Sequence, residues 1–247
     1  MDTVYGQDSL IQVLSKGMKV EVIRGGEGII DAVIQVVEPV SYTVVFQWDS
    51  KDHQDPADSY TTGADYAHIN AFFEDTDGNF LVSLRSTNSI LKIDSTTGDV
   101  IWTLGGKTGD FEIIDPLGGF IGQHAVSRTA GGNILLFDNG YENPARTDGQ
   151  LPEFQSRANV TRVVEYALDE VNHTATLVYS HVLPGQTAFA TGLVQELPGG
   201  NIFVGWGIGP YIQAQEVTRD GRVLFEIVTR TTDGKVPTNY RTFHFPE

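Results

Sequence analysis

Three tight-turn signals of one kind punctuate this chain: Asp77-Gly78-Asn79, Gly131-Gly132-Asn133 and Gly199-Gly200-Asn201. Each is flanked on both sides by a short run rich in Val, Ile, Leu and Phe. Glycine supplies the positive φ that a tight hairpin needs, and asparagine tolerates the neighbouring turn positions. A strand–turn–strand unit recurring along a chain predicts stacked hairpins rather than one continuous sheet. Two further turns, Thr96-Thr97-Gly98 and Arg219-Asp220-Gly221, extend these hairpins to four strands. The β-branched run Val33-Ile34-Gln35-Val36-Val37 argues for strand over helix in the same way.

The reading is therefore an all-β chain, a β-propeller of about three full four-stranded blades plus a partial one, and hence incomplete. The complete blades fall at 68–104, 124–182 and 192–228, and a partial blade at 29–48. The stretch 1–28 has an alternating Lys19–Arg24 run but no clear Gly-Asn hairpin. The anchors Asn79, Asn133 and Asn201 are 54 and 68 residues apart. That exceeds the roughly 40–50 residues of common propeller repeats, so inserted loops are expected, chiefly at 105–123, 140–158 and 183–190. Propellers close with about four to eight blades; a shorter one exposes sheet edges that invite oligomerisation. A sandwich of consecutive hairpins is the alternative architecture.

Charge and composition exclude several classes. A formal charge of -16 disfavours non-specific nucleic-acid binding, and the absence of cysteine rules out disulfides and thiolate metal sites. No apolar run approaches the ~20 residues that span a bilayer, and Met1-Asp2-Thr3 does not open a signal peptide. Gly106-Lys107-Thr108 mimics the end of a phosphate loop, but Ile101 stands where its first glycine belongs.

Two histidines open the first strands of successive repeats, in His68-Ile69-Asn70 and His124-Ala125-Val126. In a propeller the first strand of each blade lines the axis, so both are expected on one sheltered surface. Counting back from the turns places Asn70 roughly opposite Arg85, with His68 just beyond. The same count puts Asn139 opposite His124 and Trp206 opposite Gly192. A lone histidine at a strand end is more often structural than catalytic, so the weight rests on the combination.

That combination resembles the arylsulfotransferases that need no nucleotide sulfate donor. The matching blocks are Asp65-Tyr66-Ala67-His68-Ile69-Asn70, Leu81-Val82-Ser83-Leu84-Arg85, Gln123-His124-Ala125, Leu136-Phe137-Asp138-Asn139-Gly140, Ser156-Arg157 and Leu197–Gly207, in that order. The resemblance runs from about Ile29 to Phe245, and the chain is shortened at its N-terminal side relative to the family. It implies a β-propeller in which a histidine takes the sulfuryl group of a phenolic sulfate ester and passes it to a phenol, with no cofactor. Carried over, His124 is the nucleophile, while His68, Asn70 and Arg85 form the sulfate-binding and acid–base group. Asn139 joins them as a substrate-binding residue. Trp206 and Tyr66 are candidates to flank the aryl ring, with packing between blades as the weightier alternative. Family relatives are often secreted or periplasmic. A non-catalytic propeller used as a binding module, and a lyase or hydrolase in which water replaces the phenol, are the other functions considered.

Overall fold

The computed structural model describes residues 9–13, 19–25, 31–61, 65–141, 160–229 and 239–245, with side chains from Ala32 onward. Residues 1–8 and the Ser156-Arg157 block lie outside them. The described residues are almost wholly β, with short 3-10 turns at Ser50–Asp52 and Pro56–Asp58. They form two compact units, one up to Asp110 and the other from Phe111.

The first unit holds two four-stranded antiparallel meanders. One joins β1 (Ser9–Val13), β2 (Lys19–Gly25), β3 (Asp31–Val37) and β4 (Val44–Asp49). The sequence pattern places β1 and β2 in no blade. They complete this sheet by pairing in register with β3, Lys19 to Val37 through Gly25 to Asp31. The other meander joins β5 (Ile69–Glu74), β6 (Phe80–Leu84), β7 (Ser89–Ile93) and β8 (Val100–Gly105). Ala32, Ile34 and Val36 alternate along β3 and meet Ile69, Phe72, Val82 and Leu91 in one core. That period of two lets a strand bury one face. Every residue of β6 and of β7 is buried, so those strands are largely apolar on both faces, and the buried Lys92 of β7 is paired with Asp75 and Asp77.

The second unit repeats the plan. One sheet joins β10 (His124–Arg128), β11 (Ile134–Asp138), β12 (Arg162–Asp169) and β13 (Thr174–Val182). A fifth strand, β9 (Glu112–Ile114), pairs parallel to β13. It lies inside 105–123, where the repeat spacing predicts an inserted loop. The last sheet joins β14 (Leu193–Glu196), β15 (Ile202–Gly205), β16 (Ile212–Val217) and β17 (Val223–Val228). Leu135, Phe137 and Val163 pack with Leu193, Val204, Trp206 and Val217 between these two sheets.

The hairpins share one turn. The Asp75, Thr129, Leu197 and Thr218 N–H groups donate to the carbonyls of Asn79, Asn133, Asn201 and Arg222. In each, the glycine one place before that carbonyl sits at φ between 84° and 90°. The turn asparagine also reaches the third strand: Asn133 donates to Glu165 and Asn201 to Glu216, both at 2.8 Å. These side chains tie each hairpin to its neighbour, which explains asparagine as well as glycine at the turn.

Candidate active site

His124 opens β10 and is buried. Its Nδ1 lies 2.7 Å from Asn139 Oδ1 and 3.1 Å from the Gly122 carbonyl, and both can only accept. The proton therefore sits on Nδ1, and the lone pair of a neutral imidazole sits on Nε2. The Thr191 N–H donates to that lone pair at 3.2 Å. Asn139 is held in turn: its amide donates to the carbonyls of Ala188 and Thr191 at 3.0 and 3.1 Å. Its own carbonyl accepts from Thr161 Oγ1, which accepts from the Ala188 N–H. Every group here is buried, so the network fixes one orientation of the ring.

The backbone around the ring is strained. Thr191, a β-branched residue, sits at φ +63°, and Ala125 at +47°. Such outliers cost about 1–3 kcal/mol each and persist only where packing enforces them. Enforcement is visible at Gly192, where an added Cβ would come within 2.6 Å of Phe137.

Behind Asn139 lies a buried charged clasp. Arg162 Nε donates to Asp138 Oδ2 at 2.9 Å, and its other nitrogens donate to both carboxylate oxygens of Asp115 and to the Gly119 carbonyl. Tyr166 also donates to Asp115, at 2.6 Å. Asp138 Oδ1 accepts from the Ile121 and Gly140 N–H groups. Burial pushes the Asp115 carboxyl up, but the hydrogen bonds from Arg162 and Tyr166 prevail and hold it below the ordinary range. Burial likewise pushes the Tyr166 phenol well up. The clasp pins 115–121, which runs directly into Gln123-His124.

In the first unit His68 precedes β5 at φ +49°. Its Nδ1 lies 2.5 Å from Asp65 Oδ2, and its carbonyl accepts the Arg85 N–H at 3.0 Å. His68, rather than Asn70, thus stands opposite Arg85. Asn70 is buried at a β-bulge, between the Ile69–Leu84 and Ala71–Ser83 pairs. Arg85 is buried just beyond β6.

The two histidines do not occupy equivalent positions. Aligned on the turns, His124 pairs with Phe137, whose counterpart Ser83 pairs with Ala71. His68 stands 11 residues before its turn asparagine and His124 only 9, so matching them by residue type concealed a slip. The group of His68, Asn70 and Arg85 belongs to the first unit, while His124 and Asn139 belong to the second. Tyr66 and Trp206 both sit in apolar cores. The Tyr66 hydroxyl lies 2.9 Å from Ser50 Oγ, and Trp206 Nε1 donates to Gln215 at 3.0 Å. Thr191, Thr161 and Asp65 were not singled out from the sequence. Only Asp65 carried a local signal there, three residues ahead of a histidine. Among the described residues no cluster of His, Asp or Glu could hold a metal ion, and no helix is long and apolar enough to cross a membrane.

These features define an all-β chain of consecutive four-stranded meanders carrying a buried imidazole of set orientation. The arylsulfotransferase (ASST) family model matches residues 5–242, and the chain belongs to that family. Among solved structures, a protein of unknown function from Bacteroides caccae is similar at 13% identity and a TM-score of 0.55, covering 96% of this chain and 73% of that one. Virginiamycin B lyase from Staphylococcus aureus aligns at 11% identity and a TM-score of 0.44, covering 90% and 70%. The inactive lyase with quinupristin aligns at 14% and 0.44, covering 94% and 74%. No curated protein matches with significance.

Proposed function

We propose that this chain moves a sulfuryl group from a phenolic sulfate ester to a phenol through a sulfohistidine at His124 Nε2, without a nucleotide donor. The proposal includes a propeller in which the four sheets are blades. The observation that carries it is the pinning of His124 Nδ1–H by Asn139, which leaves the lone pair on Nε2 of a neutral ring. Buried, oriented imidazole is a competent covalent carrier. In the first half-reaction Nε2 attacks sulfur, the S–O(aryl) bond breaks and the phenol leaves. In the second, the acceptor phenol attacks the same sulfur, the N–S bond breaks and the imidazole returns to its starting state. The transferring group is expected to be loose, with charge spread over three oxygens, so positioning and electrostatics dominate. The Thr191 N–H meets Nε2 at 3.2 Å, a longer contact than the two at Nδ1, 2.7 and 3.1 Å. On this reading it vacates Nε2 as sulfur arrives and is then placed to donate to a sulfuryl oxygen.

His68, Asn70 and Arg85 keep the roles that the family resemblance gives them. Arg85 offers a planar fork suited to a tetrahedral oxyanion, and His68 moves the proton. Tyr66 and Trp206, each tied into the apolar core of its own unit, contribute through packing. A second copy of the chain is a candidate partner along β17.

The alternative to be distinguished is a non-catalytic propeller in which His124, with hydrogen-bond partners at both ring nitrogens, is structural. The deciding measurement is release of 4-nitrophenol from 4-nitrophenyl sulfate with phenol as acceptor, wild type against His124→Ala. Acceptor-dependent release, lost in the variant, with radiolabelled sulfuryl trapped on His124, is the expected result. Release without an acceptor would indicate a hydrolase. No release from folded protein would leave the binding module.

A further inference from the structure

We propose that Asp65 is the positioning residue of His68, and that the pair works as the acid–base device for the phenolic oxygen. The inference rests on the sulfuryl-transfer reading. Asp65 Oδ2 lies 2.5 Å from His68 Nδ1, and the two side chains are largely shielded, 26% and 19% exposed. A carboxylate at that nitrogen keeps the proton on Nδ1 and stabilises the imidazolium once Nε2 is also protonated.

The pairing is built into the backbone. Asp65 precedes His68 by three residues outside any helix, so the chain must fold back for the two to meet. The chain bends at Tyr66 and Ala67, and His68 itself sits at φ +49°. For a non-glycine residue that conformation costs on the order of 1–3 kcal/mol and persists only when its surroundings enforce it. They do so from both sides. The Arg85 N–H donates to the His68 carbonyl at 3.0 Å, and the Ser86 N–H to the Ala67 carbonyl at 3.4 Å. Ser86 Oγ donates to the Asp65 carbonyl at 3.0 Å, and the Ser86 carbonyl accepts from the Tyr60 N–H at 2.8 Å. Asp65, His68 and Arg85 are thus parts of one corner, cross-linked through Ser86. Strain of this kind gathers at functional sites, and here it is held at a histidine–carboxylate pair.

The proton balance is simple. As the S–O(aryl) bond breaks, His68 Nε2–H gives its proton to the leaving phenolic oxygen and the ring becomes neutral, with Nδ1–H still on Asp65. When the acceptor phenol attacks, its proton passes to Nε2 and the imidazolium is restored. Asp65 stays ionised throughout.

The test compares phenyl sulfate, whose leaving group needs a proton, with 4-nitrophenyl sulfate, whose leaving group does not. General acid assistance contributes about 10²–10⁴ in rate. Asp65→Asn should therefore lower kcat on phenyl sulfate by about 100-fold and on 4-nitrophenyl sulfate by less than about 10-fold, with KM little changed. Asp65→Glu keeps a carboxylate and should recover most of the difference. Equal losses on both donors, or none, would overturn the pair's role. Nitrogen-15 NMR of the imidazoles provides a readout independent of turnover: a protected His68 Nδ1–H signal in wild type, lost in Asp65→Asn. Its absence in wild type would sink the pairing itself. Wild type inactive on both donors, with that signal present, would instead refute the sulfuryl-transfer reading and leave the pair structural.

Discussion

Replacing Arg162 with methionine separates a structural clasp from its catalytic neighbours. The substitution keeps a stem of similar length and deletes four side-chain hydrogen bonds, one to Asp138, two to Asp115 and one to the Gly119 carbonyl. Summing four charge-assisted bonds at about 1.5–3 kcal/mol each would overstate the loss, because the protein has an escape. Without the guanidinium, burial, which pushes the Asp115 carboxyl up, is opposed by the hydrogen bonds from Tyr166 and the Leu117 N–H. Protonating an aspartate of unfolded pKa ~3.9 at pH 7 costs about 4 kcal/mol at 1.36 kcal/mol per unit. The expected loss is therefore about 3–4 kcal/mol, in line with the ~3–5 for breaking a buried pair. The pH dependence supplies the check. In the variant Asp115 has a raised native pKa, so its penalty is greatest above that value and shrinks by about 1.4 kcal/mol per unit on acidification. In wild type its native pKa is lowered, so the stability it contributes is present above the unfolded pKa and fades as pH falls through the native one. The two proteins should converge, from a gap of about 4 kcal/mol at pH 7 to about 1.5 at pH 5. Urea unfolding followed by tryptophan fluorescence at both pH values measures this. A gap under about 1 kcal/mol at pH 7, or an equal gap at pH 5, would refute the account.

Substitutions at three other positions test further points. Asn139→Ala removes the acceptor that orients His124 Nδ1–H and should lower kcat by about 10–100-fold, comparable to losing an orienting partner of a metal-bound histidine; Asn139→Asp, which retains an acceptor, should lose less, as steady-state kinetics would show. Gly140→Ala places a Cβ 2.0 Å from the Val160 carbonyl at φ +60°. It should cost about 3 kcal/mol or more, seen as a fall in Tm of about 6 °C or more; an unchanged melt would contradict the geometry. All six residues of β17 are exposed, including Leu224 and Phe225 on an edge strand. Phe225→Lys should therefore weaken concentration-dependent association in sedimentation velocity, as charges on edge strands do.

Strand positions were legible in the sequence because their causes are local. A Gly-Asn turn demands positive φ within a few residues, and a β-branched run favours extended backbone whatever surrounds it. In the last three sheets the first hairpins turn at the Gly-Asn signals, and the histidines at the heads of β5 and β10 were visible from composition and order. In the first sheet β3 and β4 lie within the partial blade read at 29–48, but β1 and β2 were not legible: neither they nor residues 14–18 between them carry the Gly-Asn signature, and pairing with β3 shows where those strands belong. The site depended on tertiary structure to a greater degree. Thr191 lies 67 residues from the imidazole it contacts, and Arg162 lies 47 residues from Asp115 and 24 from Asp138. The Asp65–His68 pair is close in sequence yet needs an unfavourable φ that only surrounding hydrogen bonds can sustain. β9 joins its sheet by parallel pairing across 62 residues. Local chemistry therefore determined where the chain turns and extends. Which ring nitrogen keeps its proton, and what holds it there, was decided by long-range packing, because those hydrogen bonds form only after distant strands have been brought together.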